Sequence, residues 1–382
     1  MKRRVVIIGG GVIGSAVAAF LSLDADWQGE VLVIERDASY AQASSALSAA
    51  SIRQQFSTPL NIRLSQFGLQ YLRELDDALG FKEQGYLYLA TDAGEAALRR
   101  KHALQLSEDA DIELVTPAQM RSRWPWLAVQ DLTLGSFGRS GEGWFDGWGL
   151  LQHFRHKAIS HGARYVQAHV AQLKRDASDA MQAVVLKDSN EALQADAFVL
   201  ACGAWSGRLA RTAQLDIPVS AKRRSVYAFC SSEQAPAAPL LVDPSGLWFR
   251  PEGEGQFICG GTPLIDADDL PLEPESALFE ESLWPALAHR VPGFNSLRQQ
   301  HAWAGYYEMN TFDHNGLVGP LDACPGLLLA CGFSGHGLQH AAGVGRGLAE
   351  WLVHGRYLSL DLSPLSPQRI AADRPIVEDN VI

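Results

Sequence analysis

Four β-branched residues in a row, Val5-Val6-Ile7-Ile8, run straight into Gly9-Gly10-Gly11-Val12-Ile13-Gly14 and then into a small apolar stretch from Ser15 to Leu21. A continuous apolar run closed by glycine predicts a buried strand and a tight turn, and the stretch behind it predicts a helix. A second run, Val31-Leu32-Val33-Ile34, predicts a neighbouring strand that ends on Glu35. The same pattern of buried strand and glycine turn returns at Ala197 to Gly203 and at Leu327 to Gly332. Strands this uniformly apolar suit a parallel sheet covered on both faces. Apolar positions at Leu338, Ala341, Ala342, Val344 and Leu348 predict a helix from about His336 to about His354. Leu150 to His161 reads as another helix, followed by strands at Tyr165-Val166 and Val184-Val185-Leu186.

The stretches between these elements differ. Tyr86-Leu87-Tyr88-Leu89, Leu247-Trp248-Phe249-Arg250 and Phe257-Ile258-Cys259 predict strands bounded by Gly and Pro, and most of the ten tryptophans lie in or beside them. They predict an α+β unit with an antiparallel sheet, inserted into an α/β nucleotide-binding unit in two pieces. Aromatic-rich insertions of this kind carry substrate pockets. The tail from Asp361 is Pro-rich and is expected to wrap the surface.

Composition narrows the function. The 382 residues suffice for two domains, and 47% apolar with 20% charged residues is ordinary for a globular enzyme. The net charge of −11 argues against nucleic acid and against an anionic membrane surface as partners. Arg99-Arg100-Lys101 and Lys222-Arg223-Arg224 are expected to be solvated faces. Five scattered cysteines without a C-x-x-C pair read as reduced thiols in a cytoplasmic protein. The histidines, His153 and His156 included, show no metal spacing, so no metal is expected. Lys2-Arg3-Arg4 followed by an apolar run to Leu23 superficially matches a signal peptide or short span, but the strand and turn need those residues. Neither a targeting segment nor a transmembrane helix is therefore expected.

Strand, Gly-x-Gly-x-x-Gly, helix, strand and acid together form a dinucleotide-binding unit. Gly9 serves the tight turn, Gly11 lets the backbone approach a pyrophosphate, and Gly14 lets helix and strand pack closely. Val12 and Ile13 open the helix, whose N–H groups and dipole face the phosphates. Glu35, 21 residues beyond Gly14, would accept from ribose hydroxyls, with Arg36 beside it.

Four blocks make the chain resemble FAD-dependent amine and amino-acid oxidoreductases such as sarcosine oxidase, glycine oxidase, D-amino-acid dehydrogenases and dimethylglycine dehydrogenase. They are Gly9 to Gly14 with Glu35; Ser44 to Arg53; Trp303-Ala304-Gly305; and Gly332-Phe333-Ser334-Gly335-His336-Gly337. Trp303 to Gly316, Gly332 to Gln339, Asp361 to Pro364 and Glu378-Asp379-Asn380 narrow the resemblance to a mitochondrial group of FAD-dependent oxidoreductase-domain proteins implicated in complex I assembly. Without a presequence, the chain would be a bacterial relative of that group. The resemblance implies an FAD-binding domain of the glutathione-reductase-like Rossmann type from residues 1–80, 150–215 and 320–360. It implies a substrate domain from 81–149 and 216–319, and a tail over 361–382. It implies FAD rather than NAD. Ser44, Ser45, Ser48 and Ala49 would line the pyrophosphate and flavin. Val170 would touch adenine through its backbone, and Ala201, Gly203 and Trp205 would lie by the cofactor. Gly335, His336, Gly337, Leu338 and Gln339 would present backbone N–H groups to the flavin pyrimidine ring.

Departures from the family pattern are equally informative. The cysteine that holds FAD covalently in sarcosine oxidases aligns near Tyr306, which implies non-covalent FAD. The lysine that activates oxygen aligns near Ile258, and no lysine lies between Arg250 and Thr262, which implies a dehydrogenase using another acceptor, a quinone or a protein. Arg53 matches the substrate-carboxylate arginine, a job suited to a guanidinium fork. Gln339 stands where a second cation would be. Tyr307 stands where D-amino-acid enzymes place their arginine. Arg250 is either a second anchor or a surface ion pair, and His336 either acts on the amine or caps the helix. The implied reaction is oxidation of the C–N bond of a secondary amine or amino acid, with hydride passing from the α-carbon to flavin N5. A flavin-bearing assembly protein for a respiratory complex, with little turnover, is the rival expectation. The protein is expected in the cytoplasm, meeting a membrane only through an electron-transfer partner.

Overall fold

A computed structural model describes residues 3–75 and 78–379. Lys2 of the N-terminal basic run and Asn380 of the C-terminal block lie outside the described residues, as do the last residues of the 361–382 tail.

The first sheet has six strands in the order Leu317–Pro320, Leu327–Cys331, Ala197–Leu200, Arg4–Ile8, Glu30–Glu35 and Arg164–Gln167. All neighbours pair in parallel except the first two. Its centre is covered on both faces. Val5 and Ile7 join the core formed with the helices Val12–Leu23, Gly147–Ser160 and Gly337–His354. Val6 and Ile8 join a second core with Val170, Leu173, Met181 and Val184. Those residues come from a three-stranded antiparallel sheet, Val170–Arg175, Met181–Leu186 and Ala192–Gln194, which forms the third layer. The run Val184-Val185-Leu186 therefore belongs to a covering layer, not to the parallel sheet.

The glycine turn after the first strand is sterically determined. Gly9 has φ +101°, and a Cβ there would lie 2.3 Å from the Ala201 carbonyl oxygen. A Cβ on Gly14 would lie 2.0 Å from the Gly9 carbonyl oxygen, so the helix sits directly on the turn.

An eight-stranded sheet stands beside this body, in the order Arg298–Asn310, Val219–Cys230, Gln256–Gly260, Trp248–Gly253, Leu240–Val242, Tyr86–Ala90, Leu134–Gly138 and Ile112–Val115. Its strands come from two stretches of chain. They pair antiparallel except at one seam, where Tyr86–Ala90 runs parallel to Leu240–Val242 and joins the two stretches. Two boundaries move. The helix starting at Gly147 and the strand starting at Leu317 both belong with the first sheet, a few residues ahead of 150 and 320.

Two other expectations are corrected. Lys222, Arg223 and Arg224 do not form a solvated face: their side chains are only 11–17% exposed, held by Asp266, Asp268 and Glu275. They sit mid-strand in the large sheet, where every second residue turns toward packed structure. In the other run Arg99 and Arg100 are exposed, but Lys101 is partly buried. The tail also does more than wrap the surface. Arg369 is buried against Asp313, and the fully buried Glu378 accepts from Ser57 N, Ser57 Oγ and Asn61 Nδ2. Among the described residues, no helix is long and apolar enough to cross a membrane.

Candidate active site

One cavity of about 430 Å³ collects nearly all the sequence candidates at the C-terminal ends of the parallel strands. Gly9, Gly11, Val12, Ile13, Glu35, Arg36, Ser44, Ser45, Ser48, Ala49, Val170, Ala201, Gly203, Trp205 and Gly335 to Gln339 all line it, as do Arg53 and Tyr307. Gly14 and Arg250 do not.

At one end, Glu35 is fixed by the backbone: Gly10 N donates to Oε2 at 2.8 Å and Asp37 N to Oε1 at 3.0 Å. Each oxygen keeps a second acceptor site for a ribose hydroxyl. Arg36 lies 3.7 Å from the centre of the Trp205 ring, so these two side chains form one flat wall near Val170. The helix Val12–Leu23 begins at Gly11 without a side-chain cap of its own, and Val12 N donates to Ser45 Oγ at 3.1 Å across the turn. Ser44 Oγ donates to the Tyr306 carbonyl at 2.6 Å, and Trp303 Nε1 to the Leu47 carbonyl at 2.9 Å. These bonds fasten the serine-rich turn to the large sheet. Tyr306, where sarcosine oxidases carry the cysteine of their covalent link, donates its hydroxyl to the Leu270 carbonyl.

At the other end, the helix Gly337–His354 starts at the cavity. His336 is its N-cap residue by position, but its side chain makes no capping hydrogen bond. The imidazole turns instead to Arg53, with Nε2 at 3.3 Å from Nη2. Of the two roles open for His336, capping is thus excluded by geometry. Arg53 is 3% exposed and lies 4.3 Å above the Phe56 ring. Gln339 supports it from behind, its Oε1 accepting from Arg53 N at 2.9 Å and from Ser65 Oγ at 3.2 Å. His340, one turn on, packs against Phe56, and burial holds its pKa down at about 3. Tyr307 packs against Gly335, where a Cβ would lie 2.5 Å from its ring, and Arg224 lies 5.4 Å above the same ring.

Arg250 is placed elsewhere. Nη2 donates to the Ala49 carbonyl at 2.9 Å, Nη1 binds Glu252 and the Pro251 carbonyl, and the guanidinium covers Trp144. Its donors hold the backbone next to the cavity and do not face into it. Ile258 is 4% exposed and also outside the lining, and among the described residues no lysine lines the cavity.

Sequence reasoning missed two acids, one fully buried and one half-buried. Glu142 is fully buried and accepts from Gln54 N at 2.6 Å, Gln55 N at 3.1 Å and Gln55 Nε2 at 2.9 Å. It braces the segment after Arg53, and burial pushes its pKa up to about 7. Glu308 lines the cavity next to Tyr307 and accepts from Gly332 N at 2.8 Å. No local pattern marks either residue. Asp24, Asp26 and His354 come within metal-ligand reach of one another at the surface, away from this cavity.

The donor set fits FAD. Two helix N-termini whose N-cap residues make no side-chain cap bond face one cavity, the Glu35 carboxylate stands beside the glycine turn, and a cationic pocket with aromatic walls lies at the far end. The comparisons agree. The family model for FAD-dependent oxidoreductases, DAO, matches residues 4–351. FAD-dependent oxidoreductase domain-containing protein 1 from Xenopus laevis is 36% identical over 428 aligned positions, covering 100% of this chain and 85% of that protein. Its Bos taurus counterpart is 39% identical, covering 95% and 84%. These relatives are animal proteins and lend no support to a bacterial source. Glycine oxidase from Geobacillus kaustophilus is 26% identical over 96% of this chain and 97% of that protein. In structure, L-proline dehydrogenase from P. horikoshii superposes with a TM-score of 0.87 at 23% identity, over 98% of this chain and 99% of the other, which shows a shared fold. The chain belongs to the DAO family of FAD-dependent oxidoreductases.

Proposed function

We propose that this oxidoreductase oxidises the C–N bond of a small secondary amine or amino acid that carries a carboxylate. The observation that carries the reading is Arg53, a guanidinium buried in the lining of the cofactor cavity. Glu142 and Glu378 act on it through space and help to hold its charge inside the protein, and its place in the lining sets a planar, fork-shaped cation where a substrate carboxylate can reach it.

When bound, FAD supplies the two-electron acceptor for the C–H bond beside the nitrogen, and the imine product hydrolyses in water. The chain supplies placement. Arg53 takes the carboxylate as a fork, its backbone held by Gln339 and its guanidinium set against Phe56 and His336. His336, held against Arg53, stands beside the amine end. Tyr86, Trp248 and Tyr307 line the cavity with aromatic surface and exclude water. A neutral amine needs no general base for this oxidation. A flavin-bearing scaffold with little turnover has no evident use for an open cavity ending in a buried guanidinium, and the enzyme reading is preferred on that ground. The proposed acceptor is a quinone or a protein rather than oxygen, a reading supported by the lining, in which no lysine stands among the described residues.

Titrating the oxidised holoenzyme with short carboxylates that have no oxidisable C–N bond tests the reading. A saturable change in flavin absorbance that disappears in Arg53→Met is expected. Equal responses of wild type and variant would overturn it.

A further inference from the structure

We propose that the Glu308 carboxylate couples proton uptake to reduction of the flavin and so makes the cofactor's potential pH-dependent. The proposal rests on FAD binding in this cavity and is independent of which amine is oxidised.

Glu308 lies on the strand Arg298–Asn310, where alternation sends its side chain to the face opposite Tyr307. There it lines the cavity between the turn at Ala201 to Gly203 and the start of the helix Gly337–His354. Oε2 accepts from Gly332 N at 2.8 Å. Oε1 lies 3.5 Å from where a Cβ on Gly337 would sit, at the helix N-terminus that faces the cofactor. No cation pairs with it among the described residues. The groups packed round it are neutral. Cys202 and Cys331 carry thiols pushed far up by burial. Lys222, on the neighbouring strand, is turned to Asp266 and Asp268, and His336 is turned to Arg53. Ala221 is the residue opposite Glu308 in the sheet register. Burial raises the Glu308 carboxyl to about 7, against the lowering effect of the Gly332 and Phe333 N–H groups.

Reduction adds negative charge to the flavin. That charge raises the proton affinity of a nearby, partly desolvated carboxylate. Above pH 7 the balance is then two electrons from the amine substrate and one proton onto the flavin, plus one proton from solvent onto the Glu308 carboxylate oxygen. No bond within Glu308 breaks. Below that pH Glu308 is already protonated and takes up nothing.

The test is the midpoint potential of the holoenzyme from about pH 5.5 to pH 8.5 in wild type and Glu308→Gln, with dithionite as reductant. Gln keeps an acceptor for Gly332 N and removes the charge. The variant is expected to have a higher potential than wild type at pH 8.5, by a tenfold or larger change in the electron-transfer equilibrium, about 30 mV for two electrons. The two should coincide at pH 5.5. Superimposable potentials across the range would overturn the proposal. Should Glu308→Gln fail to retain FAD, proton uptake by wild type decides. More than one proton per flavin reduced at pH 8 supports the coupling, and a single proton contradicts it.

Discussion

Arg53 and His336 meet side chain to side chain at 3.3 Å although 283 residues separate them in the chain. Both residues line the cavity. The contact joins the segment after the serine-rich turn to the start of the helix expected at the flavin, so any ligand held by Arg53 is also aligned with the cofactor. Arg53→Lys keeps the charge but loses the fork, the contact with His336 and the stacking on Phe56. KM for the substrate should rise about tenfold or more, as for loss of one charge-assisted hydrogen bond, while FAD stays bound. Steady-state kinetics on the FAD-loaded variant measure this. An unchanged KM would move the anchor elsewhere.

Glu35 holds the Gly10 and Asp37 N–H groups, and we propose that it also accepts from the ribose of FAD. Glu35→Ala should weaken FAD binding by about 1.5–3 kcal/mol, the worth of charge-assisted hydrogen bonds. Titrating apoprotein with FAD and following flavin fluorescence gives the affinity. Equal affinities would remove Glu35 from the cofactor site.

Glu142 predicts a pH dependence of stability. Its ordinary pKa is 4.5, and burial raises it to about 7 in the folded protein. Between those values the folded chain holds a proton that the unfolded chain has released, so stability falls as pH rises. The contribution is fully present below pH 4.5 and is lost by the time pH has passed 7. Glu142→Gln removes that slope. Thermal unfolding of both proteins at pH 5 and pH 8 should show the variant gaining relative to wild type at pH 8. A constant difference would show that Glu142 is ionised throughout.

The cavity has arginines and histidines in its lining but no lysine among the described residues. Oxygen reduction develops negative charge on oxygen, and a cation beside the flavin stabilises it. The reduced holoenzyme should therefore reoxidise slowly in air-saturated buffer and faster with a quinone, followed by stopped-flow absorbance. Fast reoxidation by oxygen alone would mean that Arg53, Arg224 or His336 serves as the missing cation.

Local grammar made the nucleotide half legible. Strand, turn, helix and acid occupy 32 consecutive residues, Arg4 to Glu35, and their geometry is set by short-range sterics at Gly9 and Gly14. The serine-rich turn and the helix start at Gly337 were legible through family resemblance. What was hidden depends on contacts distant in sequence. Arg250 reads in sequence as either a second anchor or an ion pair until Ala49 and Glu252 claim its donors. Lys222 to Arg224 read as a charged surface until an acidic loop packs over them. Glu142 and Glu308 are ordinary acids in sequence, and only the burial of the first and the place of the second in the cavity lining distinguish them. The tail's grip on Ser57 through Glu378 likewise joins residues 321 apart.

An amine carrying a carboxylate is expected to reduce the flavin in this cavity. Anaerobic mixing of the holoenzyme with N-methyl, D- and L-amino acids, each beside its carboxyl-blocked amide, measures it through loss of flavin absorbance. At least one free acid should bleach the flavin fully, its amide should bleach it far more slowly, and Arg53→Met should abolish the difference. Flavin that dithionite reduces but no member of the panel bleaches would contradict the account, as would an acid and its amide reacting equally fast.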